Sequence, residues 1–470
     1  MTGPLVVRAA PVLPALALAL LGGAYVARRR SLWYDELFTA EVAPVPLSDL
    51  LSAVAAGEGT TPYLAGVPPS YNAPYYVVTH LWLALPGVDD GDLGLRSSSL
   101  LAAVMAVAVL TAAVVRLAGP TVGLTAGMVA ATNPLVVEYA AEARGYGLAM
   151  LATAVAALGL VRWLAGGRLL LYAVGAALAG LAHWFALPVV AGLALAGLLL
   201  ERRRAVPLVG ATAIAVVPAL LLVALTQVNG VGDSAVGRIR EGEASVPERA
   251  LGAWVADSRL LLVATLLAVG AALVVAVRSR GPSARTAVVG GCWVGFPIAA
   301  VALAELVRPV FVPRYLLAGL LGLAVLAGLG VGRLPLLPRL TSAAALIGLS
   351  LSAVAAGYDT GPREDARGAV ELVADRQVVG EPVVAVDRRA ALALEHYAQR
   401  EHRRLLPDLV LPPDDPPPGA EVVWLVRQSD RGRPRPSDDD VVLSAAGLRV
   451  VDSWVLPGTS SDLVVQRWAR

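Results

Sequence analysis

The chain has 470 residues, of which 57% are hydrophobic and only 16% are charged, and its mean hydropathy is +0.68. This composition excludes an ordinary soluble domain and predicts a polytopic α-helical protein that has the lipid bilayer as a partner. The formal net charge is only +2, so the chain lacks the large excess of positive charge that nucleic-acid-binding proteins carry, and we expect no nucleic-acid partner. All 38 basic residues are arginine, a usage typical of a G+C-rich genome such as an actinobacterial one.

Apolar runs long enough to cross roughly 30 Å of hydrocarbon as helices recur over the first 357 positions. Arginines concentrate in the turns after alternate runs, and the positive-inside rule places those turns in the cytoplasm. The N-terminus with Arg8 is then cytoplasmic, and the C-terminus lies outside a cytoplasmic membrane that the chain crosses several times. We predict about 11 transmembrane helices, near residues 10–27, 96–115, 119–136, 145–163, 168–184, 185–200, 205–226, 258–277, 286–306, 314–332 and 337–357.

This topology brings several polar segments to the same outer face. The stretch from Ala73 to Leu85 is apolar but too short to cross, which indicates an interfacial or re-entrant helix. The segments predicted on the outer face are 35–96, 138–144, 183–184, 227–257 and 308–314.

After Gly357 the sequence becomes charged, and short β-like runs alternate with helical stretches. The β-like runs cover 382–386, 421–426 and 462–465, the helices 363–375 and 388–399, and Pro-rich breaks fall at 412–418 and 431–436. We therefore predict two domains. Residues 1–357 form a transmembrane domain whose first outer loop covers 28–95, and residues 358–470 form a small soluble extracytoplasmic α/β domain.

Two adjacent carboxylates, Asp35 and Glu36, follow the first apolar run at the point where a membrane helix leaves the bilayer. Ionisable groups near the membrane are costly and tend to mark function. A carboxylate at this surface can act as a general base toward a lipid-borne substrate. A solvated helix cap is the alternative interpretation, and the charges predicted on the same face favour the catalytic one.

A second polar block interrupts a later span. Asn133 and Pro134 break the apolar run, and the following block, Glu138 to Tyr146, contains Glu142 and Arg144. Residues i and i+2 do not face each other on a helix, so tertiary partners are expected for these two charges.

Arg96 and Arg314 each open a span from the outer face, where a guanidinium can hold a phosphate in a bidentate fork. Snorkelling to the interface is the alternative for both. His183 closes a span beside aromatic residues, a setting compatible with function or with packing. The tyrosines of the first outer loop are equally compatible with an aromatic belt and a sugar-binding surface.

Together these residues resemble the GT-C superfamily of integral-membrane glycosyltransferases. The resemblance is to the bacterial group similar to the Rgt lipopolysaccharide glycosyltransferases and, more distantly, to protein O-mannosyltransferases and aminoarabinose transferases. The sequence departs from the family pattern at Asn72, where the family commonly carries His. The start of the tail at 362–367 also resembles the family's entry to its soluble domain, but lacks its usual Trp. The matching elements, which cover most of the chain, are Asp35-Glu36, the segment 72–76, Arg96 to Ser99, the block from Pro134 to Tyr146, His183 and Pro313-Arg314-Tyr315.

The resemblance implies a GT-C-like catalytic domain and an inverting transferase that takes a monosaccharide from a polyprenyl-phosphate donor. It assigns Asp35 as the base, with Glu36 in the same catalytic pair. Glu142, Tyr146 and His183 are assigned to the acceptor or to supporting contacts, and the donor phosphate is assigned to Arg96, Arg144, Arg314 and Tyr315.

The sugar stays open between mannose, arabinofuranose and others, and the acceptor between glycan, lipid and protein. No compact ligand spacing indicates a metal, so no cofactor is assigned and a divalent metal stays open. Transfer of a whole oligosaccharide from a lipid diphosphate is an alternative reaction. A translocator of polyprenyl lipid or polysaccharide, without transferase activity, is the alternative function, although it should place charges near mid-membrane and show repeated halves.

Overall fold

The computed structural model describes residues 9–29, 31–229, 244–412, 414, 417–429 and 438–470. The chain divides into two compact units. We call Met1–Tyr25 with Ser97–Tyr358 the helical unit, and Val26–Arg96 with Asp359–Arg470 the mixed unit. Arg8, the Pro-rich break at 431–436 and part of the predicted outer segment 227–257 lie outside the described residues. The predicted domain division at 357/358 stays a prediction.

Helices make up most of the described residues. In chain order they are α1 (Val12–Arg28), α2 (Tyr34–Val42), α3 (Leu47–Ala56), α4 (Ala73–Leu83), α5 (Asp92–Ala118), α6 (Pro120–Ala131), α7 (Pro134–Ala140), α8 (Tyr146–Leu164), α9 (Leu170–Ala182), α10 (Leu187–Leu200), α11 (Ala205–Val228), α12 (Val246–Trp254), α13 (Arg259–Arg278), α14 (Pro282–Glu305), α15 (Leu317–Gly332), α16 (Leu336–Tyr358), α17 (Ala366–Arg376), α18 (Arg388–Arg400) and α19 (Asp438–Ala445). Short 3-10 turns cover Pro62–Leu64, Pro69–Asn72, Trp184–Ala186, Arg202–Arg204, Pro313–Leu316 and Arg403–Asp408.

Every segment predicted as a membrane span contains a helix. By length and composition, 7 of the described helices can cross a membrane, or up to 9 if each bent pair is one span. The bent pairs are α2 with α3, at 118°, and α6 with α7, at 64°, so the predicted break at Asn133 and Pro134 is confirmed. The polytopic helical architecture is confirmed, and the exact number of crossings stays a prediction because α1, α9 and α10 are short.

Helix α15 is enclosed within the helical unit, and every residue from Leu317 to Gly332 is buried. A helix buried on all sides must be apolar on all sides. It also needs small residues where neighbours approach, because a Cβ at Gly330 would lie 1.9 Å from the carbonyl oxygen of Ala268 on α13. The turn Pro313–Leu316, which carries Arg314, therefore leads directly into a closely packed helix.

The mixed unit contains one five-stranded sheet in the order β2-β1-β3-β5-β4. Strand β1 pairs in parallel with β2 and β3, whereas β5 pairs antiparallel with β3 and β4. The three predicted runs correspond to β1, β3 and β5 and are confirmed. Strands β2 and β4 were not predicted, since β2 is two residues long and the apolar residues of the exposed edge strand β4 do not alternate. The strands are β1 (Val383–Ala385), β2 (Leu409–Val410), β3 (Val422–Ser429), β4 (Arg449–Leu456) and β5 (Asp462–Ala469).

Aspartate caps define where the two predicted helices of the C-terminal segment begin. The Asp365 side chain accepts the Gly368 N–H at 3.1 Å, so α17 starts at Ala366 and not at 363 as predicted. The Asp387 carboxylate accepts the N–H groups of the first turn of α18 and the Gln428 N–H of β3 at 2.7 Å. The second cap therefore ties α18 to the sheet.

Helix α18 lies between the sheet and the first part of the mixed unit. It packs on β1 and β3, on α17, and on α2, the helix that carries the predicted catalytic carboxylates. Most of its residues between Ala390 and Ala398 are buried. The C-terminal segment and the predicted outer loop therefore share one core.

His396 of α18 gives the mixed unit a sensitivity to acid. Burial, reinforced by the positive charge of Arg400, lowers the pKa of His396 against the opposing effect of its hydrogen bond to Asp92, at 3.3 Å. As the pH falls, the unfolded chain therefore protonates His396 at a higher pH than the folded protein does. The folded state is favoured by the neutral ring above the ordinary histidine pKa of about 6.5, and this contribution to the free energy of unfolding is lost as the pH falls below that value.

We expect His396→Gln, which keeps a hydrogen-bond donor but does not titrate, to reduce this loss. The measurement is the melting temperature of the purified wild type and variant between about pH 5 and 7.5. The wild type should lose more stability over this interval than the variant. Parallel curves would contradict the assignment to His396.

Candidate functional site

The predicted carboxylate pair occupies the first turn of α2. Trp33 precedes the helix in an extended conformation, and Asp35 and Glu36 follow Tyr34, the first helical residue. Negative charge is favourable at a helix N-terminus because it opposes the positive end of the helix dipole. The two acids differ in environment, since Glu36 is 1% exposed and Asp35 is only half-buried.

Glu36 forms a buried, bidentate ion pair with Arg96 of α5. The Arg96 Nε donates to Glu36 Oε1 at 2.8 Å, and Nη2 donates to Oε2 at 2.7 Å. Arg96 also donates to the carbonyl oxygens of Arg29, at 2.7 Å, and Ser31, at 2.9 Å. These bonds account for four of the five guanidinium N–H groups. Arg96 thus fixes Glu36 and the chain that enters α2.

The helical unit brings the other predicted residues together around a break in its helices. Asn133 caps α7 by accepting the Leu135 N–H at 3.0 Å, and its amide donates to the Trp254 carbonyl oxygen at 2.7 Å. After α7 the chain turns through Glu142 and Arg144, both buried, before α8 begins. The Ser99 hydroxyl of α5 donates to the Arg144 carbonyl oxygen at 2.7 Å and holds this turn.

Aromatic rings connect this turn to two other helix ends. The His183 ring lies 5.4 Å from the rings of both Tyr146 and Tyr315, measured between centroids. Phe185 stacks on Tyr315 at 4.5 Å, and the Arg314 guanidinium lies 5.6 Å from the Tyr315 ring centroid. We call Arg144, Tyr146, His183, Arg314 and Tyr315 the arginine cluster.

His183 lies between α9 and the turn Trp184–Ala186. Its Nδ1 accepts the Phe185 N–H at 3.3 Å, which leaves the ring proton on Nε2. The cluster therefore combines two guanidinium groups with a neutral imidazole donor, a set suited to an anion.

An ion pair outside the predicted set shapes the loop before Arg314. Glu305, the last residue of α14, accepts the N–H groups of Val310, at 3.1 Å, and Phe311, at 2.9 Å. Arg249 of α12 donates to the same carboxylate at 2.6 Å. The sequence carries no signal for this pair, because its two members are 56 residues apart and no local pattern links them.

The structure thus groups the predicted site residues in two sets. Asp35, Glu36 and Arg96 belong to the mixed unit, and the arginine cluster and Glu142 belong to the helical unit. Among the described residues, no group of three or more His, Cys, Asp or Glu side chains could hold a metal ion. The predicted roles of all these residues stay predictions.

No protein-family model matches the sequence, and a search of curated proteins found no match. Solved structures do match. The crystal structure of ArnT from Cupriavidus metallidurans in the apo state is similar with a TM-score of 0.55 and 14% identity over 97% of each chain. The same ArnT bound to undecaprenyl phosphate is similar with a TM-score of 0.57, again at 14% identity and 97% coverage of both chains.

The protein has the GT-C fold of ArnT. At this level of identity the similarity establishes the fold, and it extends over nearly the whole of both chains. With the apolar helices described above, the ArnT-like fold makes the chain a multi-pass membrane protein. The expectation of a GT-C-like architecture is confirmed.

Proposed function

We propose that the protein is an inverting glycosyltransferase that moves a monosaccharide from a polyprenyl-phosphate donor to an acceptor hydroxyl at the outer face of the cytoplasmic membrane. The observation that carries this proposal is the ArnT-like fold over 97% of both chains, since one of the matching structures holds undecaprenyl phosphate. The carboxylate pair and the arginine cluster supply the chemistry that such a reaction requires.

Asp35 is the proposed general base. The acceptor hydroxyl must lose its proton as it attacks the anomeric carbon, and a carboxylate within hydrogen-bond reach can accept that proton. Glu36 is less suited to this step because its carboxylate is 1% exposed and both oxygens accept from Arg96. We assign Glu36 and Arg96 to holding the start of α2, so that Asp35 is the member of the pair that reacts.

The arginine cluster is the proposed site of the donor phosphate. The leaving phosphate gathers negative charge as the glycosidic bond breaks, and preorganised positive groups stabilise that charge. Arg144 and Arg314 are the cationic groups, and Tyr315, whose ring lies beside the Arg314 guanidinium, is assigned to the same phosphate. Glu142, Tyr146 and His183 are assigned to the acceptor or to supporting contacts.

The experiment that tests this function is an assay of the purified full-length protein, in detergent or nanodiscs, against a panel of polyprenyl-phosphate monosaccharides. We expect one donor to release its polyprenyl phosphate, with transfer to an added acceptor and inversion at the anomeric carbon. Failure of every donor, together with no binding of undecaprenyl phosphate, would contradict the proposal. Lipid translocation in proteoliposomes without bond cleavage would favour the translocator.

Arg314→Ala is expected to weaken donor use by about 10- to 100-fold, seen as a higher KM for the polyprenyl-phosphate sugar. A charge-assisted hydrogen bond contributes roughly 1.5–3 kcal/mol, which corresponds to that range. Arg308→Ala is the matched control, because Arg308 is an exposed arginine of the same loop. If both variants keep the wild-type KM, the phosphate lies elsewhere.

A further inference from the structure

The residues just before the carboxylate pair are bound by side chains of the C-terminal segment. The Leu32 N–H donates to Tyr397 Oη at 2.8 Å, and the Tyr34 N–H donates to Glu364 Oε2 at 2.9 Å. The partners are 365 and 330 residues apart in the chain, and all four belong to the mixed unit. Both bonds end on the backbone of the segment that leads into α2.

Glu364 is a buried carboxylate with several donors around it. Arg389 of α18 forms an ion pair with Oε1, and the Ser461 hydroxyl donates to the same oxygen at 2.8 Å. The Arg389 guanidinium also lies 4.4 Å from the centroid of the Tyr34 ring. Glu364 is therefore held rigidly while its other oxygen accepts the first N–H of α2.

Tyr397 is also held on several sides. It is fully buried, and its hydroxyl donates to Asp92 Oδ2 at 3.1 Å while accepting from Leu32. The Arg367 guanidinium lies 5.0 Å from the centroid of the Tyr397 ring. The backbone N–H of Arg367 donates to Ser31 Oγ at 3.2 Å. The hydroxyl thus joins the start of α5 to the entry into α2.

Glu364 accepts the N–H of the first residue of α2, and Tyr397 holds Leu32, directly before the N-cap Trp33. The first N–H groups of a helix have no partner within the helix, so an external acceptor fixes the start and direction of the first turn. Tyr34 is the first residue of α2 and Asp35 is the second. A shift of about 1 Å in a reacting group can cost roughly 100-fold in rate.

We infer that Glu364 and Tyr397 are positioning residues that hold Asp35 in place for proton abstraction, so that the C-terminal segment is part of the catalytic apparatus. This inference rests on the proposed function. Packing alone does not require this arrangement, because burying a carboxylate costs free energy unless it is paired and hydrogen-bonded, and apolar residues could fill the same volume.

The test uses Tyr397→Phe and Glu364→Gln in the full-length protein. Each keeps the shape of its side chain; the first removes the acceptor of the Leu32 N–H, and the second removes the charge that binds Arg389. We expect kcat per folded molecule to fall by about 10-fold in each variant, with the donor KM within about twofold of wild type. A lower kcat at constant KM is the result expected of a displaced base.

Hydrogen exchange supplies a readout that does not depend on activity. The backbone amides of residues 32–36 should exchange faster in both variants than in the wild type. Two controls remove matched groups without touching residues 31–34. Tyr172→Phe deletes a buried hydroxyl that hydrogen-bonds to Thr212 at 2.9 Å, and Asp440→Asn weakens the ion pair with Arg427.

The outcomes separate cleanly. Faster exchange at 32–36 with a lower kcat in the two variants, and neither change in the controls, supports the inference. Three results overturn the inference. The first is faster hydrogen exchange in the two variants with an unchanged kcat, and the second is hydrogen exchange equal to that of the wild type. The third is a loss of kcat in the control variants as large as in Tyr397→Phe and Glu364→Gln. An inactive wild type would instead reject the proposed function, and that result is seen before any variant is compared.

Discussion

Asp35→Asn is expected to lower kcat for sugar transfer by about 10³-fold, within the range that a positioned general base contributes. Asparagine has the same shape as aspartate but cannot accept the proton of the acceptor hydroxyl. Because Asp35 is only half-buried, we expect the substitution to leave the fold intact. The measurement is the steady-state rate with the donor identified from the panel, normalised to folded protein.

Donor binding should survive this change, because the residues assigned to the phosphate are untouched. We expect the donor KM to stay within about twofold, so the loss appears in kcat. Asp49→Asn is the control, since Asp49 is an exposed acid in the first turn of the next helix, α3. An Asp35→Asn variant with wild-type kcat would remove Asp35 from the mechanism.

Arg96→Gln is expected to destabilise the protein by about 3–5 kcal/mol, the range measured when one member of a buried ion pair is removed. Glu36 would be left with an uncompensated charge at 1% exposure. The carbonyl oxygens of Arg29 and Ser31 would also lose a donor. The measurement is the free energy of unfolding in denaturant, or the melting temperature, of the purified variant.

A second substitution separates the buried charge from general damage. Adding Glu36→Gln to Arg96→Gln should recover part of the lost stability, since the unpaired charge is then absent. Arg467→Gln is the control, because Arg467 is one-third exposed and its nitrogen lies 3.9 Å from the Glu381 carboxylate. Such an exposed pair contributes at most about 1 kcal/mol. Equal losses in Arg96→Gln and Arg467→Gln would show that the Glu36 pair is not important to stability.

Membrane spans were predictable because hydrophobicity over 17 or more residues is a strong local signal. The ion pair between Glu36 and Arg96 was not predictable, because the two residues are 60 positions apart in the chain. The sequence also offered a phosphate-binding role for the same arginine. The same limit applies to Glu364 and Tyr397, whose contacts with residues 32 and 34 are purely tertiary. In a charged segment of mixed composition, nothing local distinguishes them from surface residues.

The grouping of Arg144, Tyr146, His183, Arg314 and Tyr315 was predictable in outline. Arginine placement assigned these helix ends to one face, and topology alone then brought them near each other. What topology could not supply was orientation, such as the Phe185 N–H that selects the His183 tautomer. Orientation depends on side-chain packing that a single sequence does not encode locally.

The enclosure of α15 has a consequence for biosynthesis. Three of the helices that pack on it, α6, α13 and α14, precede it in the chain and are therefore synthesised before it. A helix that is buried on every side must pack between helices that have already been synthesised. Its own surface has no part exposed to lipid. Arg314 lies directly before α15 in the chain, so the arginine cluster cannot form until this late segment has been synthesised.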